Sequence, residues 1–117
     1  MRLADRIAAW LVCIFGVAHV AVGHTVFTEP NERRIWFASA GFLLIVTGLA
    51  NLGAQGSRTR MQSLAAAVGN LWILVIGALL GFADRHLLAQ PQTLILIALG
   101  LLLTVNRARE LVSPNRI

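Results

Sequence analysis

Four long apolar blocks run through this chain, and its polar positions gather in the short stretches between them. The blocks predict helices over about residues 7–27, 35–54, 61–83 and 91–108, the last being the shortest. Each is bounded by charge or by a helix breaker: Glu29-Pro30-Asn31, Gly53 to Gly56, Asp84-Arg85, and Arg107 onward. A hydrocarbon core of ~30 Å is crossed by about 20 helical residues, so each block can span it. Open strands would leave backbone groups unpaired in lipid, which leaves helices. Short loops make consecutive helices antiparallel neighbours. The expected fold class is all-α: a four-helix transmembrane bundle, up-down-up-down, with residues 1–117 forming one transmembrane domain.

Composition points the same way. The chain is 57% hydrophobic and 13% charged, against roughly 45–50% and 25% in soluble domains. A soluble domain of 117 residues has too much surface to hide that much apolar side chain, so the lipid bilayer is the expected partner. All ten basic residues are Arg, and the formal net charge is +5. In a soluble domain such a charge would suggest nucleic acid. Here the arginines lie between apolar blocks and at the termini, where membrane orientation accounts for them, and no nucleic-acid partner is expected.

Across four crossings, Arg2, Arg6, Arg58, Arg60, Arg107, Arg109 and Arg116 fall on one side, and Arg33, Arg34 and Arg85 on the other. Positive charge stays inside, which predicts an N-in/C-in, multi-pass protein. Arg-only usage suggests a GC-rich bacterial genome, hence the bacterial inner membrane. Arg2, Arg6 and the small-residue site Ala21-Val22-Gly23 resemble a signal peptide. The first apolar run is longer than the usual ~7–15 residues of such a peptide, and it reads as an uncleaved helix.

In lipid, helices associate through close backbone approach at small residues rather than through the hydrophobic effect. Gly16 and Gly23 are a heptad apart in the first block, as are Gly41 and Gly48 in the second. Gly77 and Gly81 form a small-xxx-small pair in the third block, and Gly100 lies between Thr93 and Thr104 in the fourth. These seven glycines are the expected helix-packing positions. Asn70 and Asp84 share nearly one face with Gly77 and Gly81. A loose echo of Trp10, Gly16, Pro30 and Gly41 in Trp72, Gly77, Pro91 and Gly100 is compatible with a duplicated hairpin. Trp10 and Trp36 are expected as interfacial anchors, and the deeper Trp72 as a packed residue.

Candidate chemistry is sparse. Asn51 and Asn70 sit at membrane depth, as interhelical glue or lining a substrate path. His19, near the middle of the first block, faces other helices. It is either a structural imidazole bonded to Asn70 or a carbonyl, or a ligand-binding group. Cys13 reads as a small buried hydrophobe. His24, His86, Asp84 and Glu29 collect near the outer surface, with ligand types that suit a transition metal. His24 with His86 is also the one pair that could hold a haem. The leading expectation nevertheless contains no cofactor. The blocks contain no central carboxylate of the kind small multidrug exporters use, and no Ser/His/Asp set, CxxC pair or phosphate-binding Gly loop occurs.

Trp36-Phe37-Ala38-Ser39-Ala40-Gly41, continuing to Gly48-Leu49-Ala50-Asn51-Leu52 with Ala18-His19 upstream, resembles a pattern in small bacterial four-helix inner-membrane proteins of the DoxX-like kind. The resemblance covers the first half of the chain. It implies the fold and the inner-membrane location and brings no catalytic residues. The functional expectation is a non-enzymatic membrane protein binding a partner subunit or an apolar ligand between its helices. Alternatives are an oligomeric small-molecule or ion transporter or channel, and a metal or haem redox protein at the periplasmic face. A homo-oligomer or a larger membrane complex would suit the first two.

Overall fold

A computed structural model describes residues 2–29, 32–55, 59–86 and 90–112. Among them are four helices and no strand: α1 (Arg2–Val26), α2 (Glu32–Ala54), α3 (Arg60–Ala83) and α4 (Pro91–Val112). The expected breakers Pro30, Asn31 and Gly56, and the arginines Arg58 and Arg116, lie outside the described residues.

The helices outrun the apolar blocks that predict them. Helix α1 takes in the polar stretch before Ile7, α2 begins at Glu32 rather than Ile35, and α4 continues past Ala108 to Val112. Hydropathy marks where lipid is tolerated, whereas helical hydrogen bonding continues wherever nothing interrupts it. Pro91 opens α4, since at the first helical position its missing N–H would have no partner anyway. Helix α3 closes at Asp84, whose backbone N–H donates to the Leu80 carbonyl at 2.9 Å.

Helices α1 (from Leu3), α2 and α3 are long and apolar enough to cross a membrane, as in a small multi-pass membrane protein. Helix α4 is the least apolar of the four. Its last turns hold the buried polar residues Asn106 and Arg107. Large apolar side chains cover the outside, including Ile14, Val17, Phe42, Val46, Val68, Leu79 and Phe82. So extensive an apolar exterior marks a surface meant for lipid or protein rather than water. Trp10 and Trp36 are exposed, and so is Trp72 at 46%. The expectation that Trp72 packs inside is thereby corrected: its neighbour Ile73 takes the inward position and turns the indole out.

Helix α1 lies against α2 at backbone distance. A Cβ on Gly16 would fall 2.6 Å from the Gly41 carbonyl oxygen, and one on Gly48 would fall 2.7 Å from that of Ala9. Gly23 is covered by the Phe37 ring. These contacts run in opposite order along the two helices, as do those between α3 and α4, where Gly77 faces Ile97 and Gly100 faces Ile73 and Leu74. Gly81 is buried on the same α3 stripe as Ser63, Ala66, Asn70, Ile73 and Gly77. The result is two helical hairpins, α1/α2 and α3/α4. An apolar core of Ala8, Ala9, Val12, Leu44, Ile73 and Leu103 lies between them.

Candidate functional site

The hairpins are joined by two polar clamps. Asn51 of α2 and Asn70 of α3 are both 0% exposed. Asn51 Nδ2 donates to Asn70 Oδ1 at 2.6 Å, and Asn70 Nδ2 donates back to Asn51 Oδ1 at 2.9 Å. The second Asn51 Nδ2 hydrogen goes to the Thr47 carbonyl at 2.8 Å. Two amides with complementary donors and acceptors thus satisfy one another away from water, as buried polar groups must. The expectation of Asn70 as a partner for His19 is corrected here, since its amide is committed to Asn51.

The second clamp ties α1 to α4. Arg107 is 0% exposed, and its Nη2 donates to Asp5 Oδ2. Asn106 Nδ2 donates to Asp5 Oδ1 at 3.1 Å. Arg107 Nη1 lies 2.6 Å from Glu110 Oε2, one helical turn on, and Ser63 of α3 donates to that same oxygen at 3.4 Å. The Arg107–Glu110 contact is ionic rather than a well-aligned hydrogen bond, because Nη1 and Nε both lack a partner of hydrogen-bonding geometry. A third buried donor without a partner among the described residues is Gln55 Nε2, just past the end of α2. A buried guanidinium is tolerated only when paired, and Asp5 and Glu110 pair it.

Sequence reasoning missed this cluster. Arg107 was expected as the polar boundary of the fourth span, and Asp5, Ser63, Asn106 and Glu110 had no assigned part. A signal was present: Asp5 is on the face of Ala8, Ala9 and Val12, and Arg107 is on that of Gly100 and Leu103. Both charges therefore point inward at one end of the bundle.

Moving along α1 away from Asp5, the inward face changes character. Ala8 and Val12 are 2% and 0% exposed, whereas Phe15 and His19, one and two turns on, are only half-buried. Helix α4 repeats this in reverse: Leu103 and Gly100 are buried, Leu96 and Thr93 half-buried. His19 stacks on Phe37 with ring centroids 3.7 Å apart and planes 6° from parallel, and Phe27 meets Phe37 edge-on at 5.5 Å. The inward faces of α1 and α4 are thus tightly covered at the Asp5 end and only partly covered at the His19 end. Among the described residues the His19 imidazole makes no hydrogen bond, and stacking on Phe37 is its one ring contact. One imidazole without a hydrogen-bond partner is thereby set among half-buried apolar and aromatic side chains.

The outer polar residues behave differently. Arg34 Nη2 meets His24 Nδ1, and Arg34 Nη1 donates to the Thr28 carbonyl at 3.4 Å. The backbone N–H of His86 donates to Asp84 Oδ1 at 2.9 Å, and Glu29 is exposed. Among the described residues no three His, Cys, Asp or Glu side chains come together to hold a metal ion. His24, Glu29, Asp84 and His86 are therefore not gathered into one ligand set. Cys13 is buried at the α1/α2 contact, its Sγ 3.7 Å from the Ile45 carbonyl.

No protein-family model, no curated protein and no solved structure matches this chain.

Proposed function

We propose that this is a non-enzymatic protein of the bacterial inner membrane that holds an apolar ligand in the seam between its two helical hairpins. All four helices cross the bilayer up-down-up-down, with both termini in the cytoplasm. The single observation that carries the ligand site is the inward face of α1, tightly covered at Ala8 and Val12 and half-open at Phe15 and His19. A polar ring atom left without a partner in hydrocarbon costs free energy that a ligand can recover. Ligand sites are typically apolar recesses with a few convergent polar groups, often between helices of a bundle.

Orientation is supported by the arginine distribution, and α4 as a fourth crossing by its apolar face from Leu94 to Val105. The oligomeric transporter gains no support from Asn51 and Asn70, which face each other rather than an aqueous path. A metal or haem at the outer face gains none either, with His24 Nδ1 occupied by Arg34.

Native mass spectrometry of protein gently extracted from its own membrane tests the proposal. We expect one apolar species of constant mass, retained at one per chain and lost from Phe15→Ala/Phe37→Ala protein. Bare protein, or adducts that merely reflect bulk lipid and are unchanged in the variant, would count against it. Co-purification of a stoichiometric protein partner seated at the seam would assign the recess to a subunit instead.

A further inference from the structure

We infer that the seam selects an uncharged lipophile with a single hydrogen-bonding head, held between His19 of α1 and Thr93 of α4. This inference rests on the seam being a ligand site and goes on to name the ligand's chemistry. The register of α1 against α4 is set at one point, where Asp5 meets Asn106 and Arg107. Asp5 near the start of α1 and Ser63 near the start of α3 both meet the end of α4, through Arg107 and Glu110, and contacts run in opposite order between α3 and α4. Helices α1 and α4 are therefore antiparallel. Equal numbers of residues separate Asp5 from His19 and Thr93 from Arg107, about 21 Å along either helix at ~1.5 Å per residue. His19 and Thr93 thus stand at the same depth on opposite sides of the seam.

They also stand on the right faces. His19 continues the stripe Asp5, Ala8, Val12, Phe15, and Thr93 continues the stripe Arg107, Leu103, Gly100, Leu96. Both are half-buried, and among the described residues neither side chain has a hydrogen-bond partner. Neutral imidazole offers one donor and one acceptor, and a threonine hydroxyl offers both. A hydroxyl or carbonyl head on an apolar body fits two such groups. A carboxylate or ammonium head does not. The residues between clamp and mouth, Phe15, Leu96 and Leu99 among them, carry no charge to balance it, and the Arg107 guanidinium at the sealed end is taken by Asp5 and Glu110. Phe37, stacked on His19, holds the imidazole plane in place.

The test uses the full chain in nanodiscs and three photoactivatable probes sharing one diazirine-bearing alkyl chain: a fatty alcohol, the matching fatty acid and the matching alkane. Peptide mapping reads the labelling at residues 12–19 and 93–100. The alcohol is expected to label this seam about tenfold more than either the acid or the alkane, the yield of one or two net hydrogen bonds. His19→Leu/Thr93→Val should reduce alcohol labelling to the alkane level, while His19→Gln, which keeps a donor and an acceptor, should retain most of it. Equal labelling by all three probes would overturn the head-group selection and leave an unselective recess. No labelling of the seam by any probe would overturn the ligand site itself. The comparison among probes on the unmodified protein decides the matter even if the double variant does not fold.

Discussion

At the residue scale, the chain's buried polarity is divided between groups that satisfy one another and groups that do not. Asn51 and Asn70 are of the first kind; Arg107, Asp5, Asn106, Glu110 and Ser63 also bind one another, although Arg107 Nε and Nη1 lack hydrogen-bond partners. Removing one partner from a buried pair is costly because the other is left uncompensated, by about 3–5 kcal/mol. Arg107→Leu should therefore destabilise the protein by that order. Adding Asp5→Leu should recover much of the loss, since an apolar pair of similar volume is often tolerated. Thermal unfolding in mild detergent measures both, and additive losses in the double variant would contradict a direct pair. Composition alone could not reveal this pair, because the partners are nearly the whole chain apart in sequence. The inward faces of Asp5 and Arg107 could be read from helical spacing, but their meeting depends on how α1 and α4 close the bundle. His19 was legible as a candidate from its depth. That it stacks on Phe37 and leaves Asn70 to Asn51 depends on side-chain placement between helices, which periodicity does not specify.

At the scale of the helices, the glycines decide which faces meet. Heptad spacing of Gly16 with Gly23 and Gly41 with Gly48 is visible in the sequence. In the fold Gly16, Gly41 and Gly48 occupy the tightest α1/α2 contacts, where no side chain has room. Gly53 differs: nothing lies within 4 Å of a Cβ placed there. Gly77 is intermediate, a Cβ meeting Ile97 Cγ1 at 3.0 Å. Gly77→Leu should consequently cost more than Leu79→Ala, whose side chain is 57% exposed. Overpacking costs roughly 1–3 kcal/mol, whereas trimming a lipid-facing Leu removes few protein contacts. Folded yield and thermal stability in detergent compare them, and equal values would refute the packing described here. The four helices were legible because each apolar block is long and its interruptions are sharp. Their ends were less so, because polar residues at both ends of the bundle continue the helices into positions that hydropathy marks as loops.

At the scale of the whole molecule, extents of 51 × 25 × 21 Å describe a rod longer than the hydrocarbon core is thick. Because Asp5 binds Arg107, the start of α1 and the end of α4 sit at one end of that rod. Small tags on both termini should therefore label from the same side of intact spheroplasts, and the arginine distribution predicts the cytoplasmic side. Tags reacting from opposite sides would break the four-crossing arrangement. The ion pair also fixes an order of events in biogenesis. While the ribosome is still making the middle of the chain, Asp5 has no Arg107 to bind, and the first hairpin must wait with that end unclamped. Only when the last helix arrives with Arg107 does the bundle close, so a product broken off before that point carries its own mark of incompleteness.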